Sequence, residues 1–371
     1  MLTTARRLPS AIALAAHLGH GAQRIITDSA VGRFRKMPRR VTDLDADTLS
    51  ALLGTEVTSV QLIDGDAGTS SRARLALTGT DAPASVFVKM PAETAATRMI
   101  GELGRLAHTE VQFYNSLSAQ LTGIPRCHGS AFDALTGRFV LVLEDLAVTP
   151  CEFPDTLHPI DPDRAALVVE LLARVHGTFW GRLPAWAYSA SGDATSLLTG
   201  SLLKVSTRKL AERTDIPVER GRFIDENYRA AALLLDRPPH TVMHGDAHPG
   251  NVYFRDGNAG LLDWQAVRRG HPGRELAYTL ITSMTTEARR DAERELLDTY
   301  RGALAAAGGP ELGHDELWER YRMGALYAYA APVITAGMGG MQTENIALEG
   351  ARRGVAALDD LETVPLLQKS L

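Results

Sequence analysis

Residues 243–278, which read MHGDAHPGNVYFRDGNAGLLDWQAVRRGHPGRELAY, decide the fold of this 371-residue chain. Within them, Asp246 follows His244 by two residues and precedes Asn251 by five. A Pro-Gly pair lies between the Asp and the Asn, where no regular helix or strand can run. The segment is therefore predicted to be a loop that presents a carboxylate and an amide.

Two short apolar runs, 251–254 and 259–262, flank an Asp-Gly-Asn sequence that is typical of a β-hairpin turn. Such a hairpin returns the chain to its start and brings Asp263 beside Asn251. This pair can share a divalent cation. Phosphoryl transfer uses such a cation to neutralise phosphate oxygens, and it uses a nearby carboxylate, here Asp246, to accept the proton of the attacking hydroxyl.

The wording HGDAHPGN followed by LLDWQ resembles the H-x-D-x-x-x-x-N and metal-binding Asp signatures of the protein-kinase-like fold. Within that fold it is similar to the aminoglycoside phosphotransferase and choline kinase superfamily, and closest to the ecdysteroid kinase-like branch. The resemblance implies that Asp246 is the catalytic base and that His244 braces the loop. It also implies that Asn251 and Asp263 bind Mg²⁺. The alternative is that each residue is an ordinary loop capper, because Asp and Asn favour turns.

Two further residues of this stretch are less clear from the sequence. His248 could touch phosphate, but bracing the loop or facing solvent is the simpler interpretation. Glu275 stands where the resembling family usually has an Asp that braces the catalytic loop. The longer side chain could still do this.

Three β-like runs, 56–63, 72–77 and 85–90, open the part of the chain that the resemblance identifies as the small lobe. The linker 64–71 contains glycines and small hydroxyl residues, which let backbone N–H groups approach phosphates closely. As a motif it is weak and fits any polar hairpin, although the superfamily often uses a similar G-T-S loop. The candidate ATP contacts in it are Gly68, Thr69, Ser70 and Ser71.

Lys89 is the only lysine of the third run, and in the resembling fold a lysine there reaches the α- and β-phosphates of ATP. The alternative is an edge-strand lysine that opposes aggregation. Glu110 shares an apolar helical stripe with Phe113, and a carboxylate held against a core needs a cation, for which Lys89 is the expected partner. TEVQFYNSL also resembles the E-x-x-F-Y helix of the family. Glu102 is the second choice for this role.

Two more β-like runs, 126–132 and 138–143, complete a predicted five-stranded sheet. The resemblance makes Glu144 and Leu146, just after it, the hinge residues whose backbone C=O and N–H pair with adenine. From residue 161 the pattern is mainly helical.

The expected fold class is therefore α+β: a two-lobed protein-kinase-like fold with a five-stranded antiparallel sheet plus helix in the small lobe and a mainly helical large lobe. The predicted segments are an N-terminal helical extension and basic linker at 1–40, a nucleotide-binding lobe at 41–145, and a lobe with the catalytic loop and acceptor pocket at 146–371.

The composition indicates which binding partners and which cellular compartment are expected. With 39 Lys+Arg against 44 Asp+Glu, the chain lacks the basic excess that nucleic-acid binding needs. Cys127 and Cys151 form no C-x-x-C pair, which favours free thiols in a reducing compartment, and a cytoplasmic location. Arg6 and Arg7 precede an apolar run, 8–18, that is too short to span a membrane. An amphipathic helix packed on the body is the simpler interpretation, and a secretory signal is the alternative. A monomer or homodimer is expected.

These features predict an ATP- and Mg²⁺-dependent small-molecule kinase that acts on a hydroxyl group. A nucleotide-binding pseudokinase and a purely structural protein are the alternatives. Polycationic aminoglycosides need carboxylates, whereas Arg268, Arg269 and Arg274 follow Asp263 with one acid, Glu275. A neutral, partly hydrophobic alcohol, sterol-like for example, is the preferred acceptor, although aromatic faces also bind choline-type cations.

Several aromatic or apolar residues of the large lobe either line the acceptor cleft or pack in the core. They are Trp180, Trp186, Tyr188, Trp318, Tyr321, Tyr327 and Met338.

Overall fold

The computed structural model describes residues 7–189, 191–340 and 342–371, without the side chains of residues 7–9 and Ala67. Arg6 lies outside the described residues. The chain divides into two compact units. The first contains the described residues up to Cys151 together with Asp263–Ala266, and the second contains Glu152–Leu262 and Val267–Leu371.

A five-stranded antiparallel sheet forms the centre of the first unit, as the sequence predicts, with the order β1-β2-β3-β5-β4. Val86 and Val88 of β3 are fully buried and alternate along the strand in the way that a packed sheet face requires. Because β3 is the central strand, the interpretation of Lys89 as an edge-strand lysine is wrong. The strands are β1 (Glu56–Ala67), β2 (Ser70–Thr80), β3 (Ser85–Pro91), β4 (Cys127–Asp133) and β5 (Arg138–Glu144).

The described residues of the first unit form four α-helices. The predicted helical region before residue 117 is two helices, because Arg105 adopts a left-handed conformation (φ +53°) between them. Gly101 and Gly104 precede this break, and glycines weaken a helix. The helices are α1 (Arg7–Val31), α2 (Ala46–Leu53), α3 (Ala95–Gly104) and α4 (Leu106–Ser116).

Buried ion pairs attach helix α1 to the rest of the first unit. Asp28 is 1% exposed and accepts hydrogen bonds from Arg98 (2.6 Å) on α3 and Arg138 (2.7 Å) on β5. Arg24 of α1 pairs with Glu102 at 2.9 Å. Glu102, the second choice for the partner of Lys89, therefore binds the N-terminal helix. The predicted helix is thus present, longer than the run 8–18. Among the described residues, no helix is both long and apolar enough to cross a membrane.

The second unit is mainly helical, as expected. Every residue of α8 is buried, which makes this helix the centre of the unit. The helices are α5 (Pro162–Thr178), α6 (Ser196–Arg213), α7 (Arg222–Leu235), α8 (Pro272–Ser283), α9 (Thr286–Ala306), α10 (His314–Met338), α11 (Glu344–Asp360) and α12 (Thr363–Ser370). The sequence did not predict α12.

Two small antiparallel sheets position the catalytic loop of the second unit. The predicted hairpin is present as β7 (Val252–Arg255) paired with β8 (Asn258–Leu261). An unpredicted pair joins β6 (Thr241–Met243) to β9 (Arg268–Gly270), with Met243 opposite Arg268. The strand that enters the loop is therefore held beside the arginine-containing segment that follows the hairpin.

Candidate active site

A lysine with two carboxylates forms the polar centre of the first unit. Lys89 Nζ donates hydrogen bonds to Glu110 Oε1 (2.7 Å) and to Asp263 Oδ1 (2.9 Å). Lys89 and Glu110 are 3% and 1% exposed. The ion pair that the sequence predicts between them is thus present, and Asp263 joins it from a distant part of the chain. Lys89, Glu110 and Asp263 are called the lysine cluster below.

The net charge of the lysine cluster favours the binding of a further cation. Burial opposes the charge on Lys89, but Asp263 and Glu110 outweigh it and raise the pKa of the lysine. Burial also raises the pKa of Glu110, against the pull of Lys89, and the charge of Asp263 adds to the rise. When all three groups are ionised, the cluster carries one net negative charge. Carboxylate oxygens in such a setting suit Mg²⁺.

Aromatic stacking fixes Asp263 in the first unit. The next residue, Trp264, is fully buried and stacks on Phe113 of α4 with ring centroids 3.9 Å apart and an interplanar angle of 3°. Asp263 itself adopts a left-handed backbone conformation with φ +61°. The tryptophan of the LLDWQ sequence is therefore an anchor that holds the Asp263 backbone close to the helix that carries Glu110.

The hairpin of candidate phosphate contacts is tighter than the sequence suggests. Strands β1 and β2 extend through most of 64–71, and only Gly68 and Thr69 form the turn. Gly68 N–H donates to the Ser70 carbonyl at 2.9 Å. Ser70 and Ser71 lie in β2, paired with the last residues of β3.

The predicted hinge residues follow directly on the sheet. Glu144 ends β5 and pairs with Val86, and Leu146 begins a short 3₁₀ turn. Asp145 between them accepts hydrogen bonds from Arg74 (3.0 Å) and Ser85 (2.7 Å). Burial alone would raise the pKa of Asp145, but these two donors hold it below its usual value. Asp145 therefore fixes the backbone at which Glu144 and Leu146 are presented.

His244 connects the catalytic loop of the second unit to the hairpin. Its Nε2 lies 2.8 Å from the Leu262 carbonyl, and its Nδ1 accepts the Asp246 N–H at 3.2 Å. Leu262 N–H donates to the Asn251 carbonyl at 3.0 Å. This pattern fits a neutral imidazole that carries its proton on Nε2. Leu262 is peptide-bonded to Asp263, so the hairpin end and the loop are held in register.

Glu275 on α8 holds the start of the loop. Its carboxylate accepts the backbone N–H groups of His244 (3.1 Å) and Gly245, and it lies 2.8 Å from His176 Nε2. Burial would raise the pKa of Glu275, but His176 and the loop N–H groups keep it lowered. His176 in turn contacts the Tyr300 hydroxyl at 2.8 Å. The side chain of Glu275 is thus long enough to reach the loop backbone.

Asp246 is less enclosed than the other carboxylates. Its Oδ1 accepts the Tyr278 hydroxyl at 3.1 Å, and its side chain is 31% exposed. Asn251 Nδ2 donates to the Asp246 carbonyl at 2.9 Å, which leaves the amide oxygen as the group that can face a cation. His248 Nδ1 accepts the Gly250 N–H at 3.1 Å and so helps to shape the loop. Asp246 is therefore a positioned carboxylate that small molecules can reach.

Tyr278 was missed in the sequence, whereas Tyr327 and Arg274 were named there but not placed near Asp246. Tyr278 donates to Asp246, and its ring meets Tyr327 edge-on with centroids 4.9 Å apart. The Tyr327 hydroxyl donates to the Gly245 carbonyl at 3.3 Å. The Arg274 guanidinium carbon lies 3.9 Å from the Tyr327 ring centroid. A signal for Tyr278 existed, because it lies three residues after Glu275, on the same face of one helix.

Tyr327, one of the predicted cleft aromatics, donates a hydrogen bond to the loop that carries Asp246. Trp318 and Tyr321 stack on each other with centroids 5.6 Å apart. Tyr321 is fully buried and donates to Glu293 at 2.9 Å. Tyr321 therefore packs in the core, and the half-buried Trp318 ring covers it.

The oxygen donors fit a magnesium ion better than a fully protein-coordinated metal. Over residues 7–189, 191–340 and 342–371, no group of three or more His, Cys, Asp or Glu residues is placed to hold a metal. Mg²⁺ keeps several waters and binds substrate phosphates, so one or two protein oxygens suffice. Asn251 and Asp263 supply ligands of that type.

Comparisons with known proteins agree with this chemistry. A family model described as a phosphotransferase enzyme family matches residues 66–323, which is more than half of the chain. No curated protein sequence matches the chain.

Solved structures of low sequence identity share the fold. A protein from Thermobifida fusca, provisionally described as a fructosamine-3-kinase, is 19% identical with a TM-score of 0.50, over 87% of this chain and 99% of that one. A provisionally described aminoglycoside phosphotransferase from Ralstonia eutropha is 14% identical with a TM-score of 0.52, over 86% and 98%. Plasmodium vivax ethanolamine kinase is 11% identical with a TM-score of 0.50, over 84% and 83%. At these identities, the likeness concerns the fold alone.

Proposed function

The chain belongs to the phosphotransferase enzyme family, and we propose that it transfers the γ-phosphoryl group of ATP to a hydroxyl group of a small molecule, with Mg²⁺ as cofactor. The observation that carries the proposal is the lysine cluster. In this cluster, Nζ of Lys89 on the central strand lies 2.7 Å from the Glu110 carboxylate and 2.9 Å from the Asp263 carboxylate. A lysine that a glutamate orients is suited to bind phosphate oxygens.

The nucleotide contacts of the proposal lie in the first unit. Lys89 binds the α- and β-phosphates, and Glu110 holds the lysine in place. Backbone N–H groups of the hairpin residues Gly68 to Ser71 approach the phosphates. The backbone groups of Glu144 and Leu146 pair with adenine.

Asn251 and Asp263 hold the magnesium ion. When bound, the ion neutralises charge on the phosphate oxygens. The hydrogen bond from Asn251 to the Asp246 carbonyl and the anchoring of Asp263 by Trp264 support this assignment, because both ligands are held before any cation arrives.

Asp246 is the general base. A bond forms between the acceptor oxygen and the γ-phosphorus, and the bond from that phosphorus to the β–γ bridging oxygen breaks. The hydroxyl proton passes to Asp246, and ADP leaves. Partial exposure of Asp246, its hydrogen bond from Tyr278 and the bracing of the loop by His244 and Glu275 support this role.

The acceptor is a partly hydrophobic alcohol of the ecdysteroid kinase-like kind. The aromatic rings of Tyr278 and Tyr327 beside Asp246 give an apolar contact surface. Arg268 and Arg274 in the same unit oppose a polycationic aminoglycoside. A choline-type acceptor is the second candidate, because the same rings could bind a quaternary ammonium group. A cytoplasmic location and a monomeric or homodimeric enzyme complete the proposal.

Two measurements test the proposal in sequence. Mg-ATP binding is measured by calorimetry, and ADP release is then followed over a panel of hydrophobic alcohols, choline and kanamycin. We expect binding, and ADP release that depends on a hydrophobic alcohol. Binding without ADP release for any acceptor would favour the pseudokinase alternative, and absence of nucleotide binding would contradict the proposal.

A further inference from the structure

Arg274 is a buried arginine without an anionic partner. It is 7% exposed and lies in the first turn of α8. In the part of the chain that the structure describes, its guanidinium makes no hydrogen bond and no ion pair, and it lies against the face of the Tyr327 ring. A guanidinium that no carboxylate contacts directly has its N–H donors left for an anionic ligand.

Stacking on Tyr327 leaves the recognition edge of Arg274 available. A ring covers one face of the planar guanidinium, whereas the N–H donors point outward in the plane. Such an edge can bind a carboxylate or phosphate through two parallel hydrogen bonds.

Arg274 lies close to the general base of the proposed reaction. It contacts Tyr327, whose ring meets Tyr278, and Tyr278 donates to Asp246. The Tyr327 hydroxyl also contacts the carbonyl of Gly245, directly before Asp246. A ligand group bound to Arg274 would therefore lie on the Asp246 side of the second unit.

A second positive charge, Arg268, adds to this region. It stands opposite Met243 at the entrance to the catalytic loop. Burial works against its charge, but Tyr327, Tyr188, Asp246 and Asp236 outweigh burial and raise the pKa of Arg268.

Asp236, a carboxylate that interacts electrostatically with Arg274, is already engaged. Asp236 accepts the hydroxyls of Ser189 and Ser191, and it acts on Arg274 only through space. Asp236 is therefore not a direct ion-pair partner of Arg274.

We propose that Arg274, assisted by Arg268, binds an anionic group of the acceptor, so that the substrate is a partly apolar alcohol that also carries a carboxylate or phosphate. This inference rests on the proposed function and sharpens it. It replaces the expectation of a neutral acceptor. Arg274 is an acceptor-binding residue, and the distance from the anion to the hydroxyl decides which alcohols are phosphorylated.

The γ-phosphate of ATP is another anionic group that Arg274 could bind. The test distinguishes it from an anionic group of the acceptor. The full-length protein is first saturated with Mg²⁺ and the β,γ-imido analogue of ATP, which fills the γ-phosphate position without turnover. Inorganic phosphate is then titrated as the probe, and binding is followed by calorimetry. The titration is repeated without nucleotide. Phosphate binding can then be measured even if the protein does not bind nucleotide.

We expect phosphate to bind the analogue-loaded wild-type protein. Arg274→Gln should weaken that binding at least about tenfold, because a charge-assisted bidentate contact is lost. Arg274→Lys keeps the charge and should retain part of the affinity. The exposed neighbour gives the matched control, since Arg269→Gln should bind phosphate like the wild type.

Three results would overturn the inference. The first is absence of phosphate binding to the wild-type protein with and without nucleotide, and the second is binding by Arg274→Gln that is as tight as that of the wild type. Loss of phosphate binding when the analogue is present would assign Arg274 to the γ-phosphate instead. Thermal unfolding of each variant shows that it is folded, and Mg-ADP affinity, measured separately, reports on the proposed function alone.

Discussion

The lysine cluster of the first unit and the region around Asp246 in the second unit differ in the burial and pairing of their charged groups. Lys89 touches two carboxylates, and both Lys89 and Glu110 are almost completely buried. Asp246 accepts the Tyr278 hydroxyl, lies 3.9 Å from His248 Nε2 and is 31% exposed, and Arg274 forms no ion pair among the described residues. The charges of the lysine cluster pair with one another in a buried site, whereas Asp246 is partly exposed and Arg274 stacks on an aromatic ring.

This difference determines whether a substitution is expected to lower the free energy of unfolding or the rate of the reaction. Breaking a buried pair leaves an uncompensated charge and destabilises the fold. Removing a partly exposed carboxylate with one neutral donor costs the fold little, but it removes a group that acts in the transition state. Substitutions in the buried pairs of the first unit should therefore lower the free energy of unfolding in addition to any effect on ligand binding, whereas substitution of Asp246 should lower turnover with little effect on stability.

The largest expected effect is that of Asp246→Asn on turnover. Loss of the general base should lower kcat by roughly 10² to 10⁴ fold, with little change in the free energy of unfolding. ADP release with the best acceptor of the panel measures this. Asp256→Asn at the exposed hairpin tip is the matched control and should keep wild-type turnover. Wild-type turnover in Asp246→Asn would remove this residue from the reaction.

Asp28→Asn should change stability instead. Arg98 and Arg138 would lose their buried carboxylate, which costs about 3–5 kcal/mol of unfolding free energy. Urea unfolding measures the loss, and the exposed Asp47→Asn should fall within about 0.5 kcal/mol of the wild type. An Asp28→Asn protein as stable as the wild type would show that helix α1 is held by other contacts.

The same variant gives a pH dependence. Burial opposes ionisation of Asp28, but Arg138 and Arg98 outweigh it and lower its pKa. A lowered carboxyl pKa contributes stability above the unfolded-state value and loses it as the pH falls through the folded-state value. The stability gap between wild type and Asp28→Asn should therefore shrink as the pH drops below about 4. A constant gap down to strongly acidic pH would contradict the ion-pair explanation.

Lys89→Ala should weaken nucleotide binding by about 10- to 100-fold, the range for a lost hydrogen bond to a charged group. Calorimetry with Mg-ATP measures the affinity. The exposed Lys204→Ala in the second unit serves as the control. Unchanged ATP affinity in Lys89→Ala would take the lysine cluster out of the nucleotide site.

The smallest effect is expected for Tyr278→Phe. It removes one neutral donor from Asp246 and should lower kcat by about 2- to 10-fold while KM stays similar. Steady-state kinetics separate the two parameters. A loss as large as that of Asp246→Asn would mean that Tyr278 itself takes part in the reaction.

Local sequence patterns predicted the parts of the molecule that local forces determine. The Asp-Gly-Asn turn specified the β7–β8 hairpin, and the apolar alternation of β3 located Lys89 in a strand. The pairing of Lys89 with Glu110 followed from one physical rule, because a carboxylate on an apolar helix face needs a cation.

Long-range contacts could not be predicted in the same way. Strands β6 and β9 have three residues each, too few for a visible alternation, so the pairing that brings Arg268 beside the loop left no signal. The Asp28 pairs join residues 70 and 110 positions apart. Tyr278 and Arg274 lie on a helix that is buried on all sides, where no polar face marks which residues contact a ligand.

The most direct test of this division of roles compares Mg-ATP binding by two Asp variants in one calorimetric series. Asp246→Asn should bind Mg-ATP with nearly the affinity of the wild type, because a general base contributes mainly in the transition state. Asp263→Ala should lose both affinity and its dependence on Mg²⁺, because a metal ligand is gone and Lys89 keeps only Glu110. Equal binding by both variants and the wild type, or loss of binding in Asp246→Asn alone, would contradict the account.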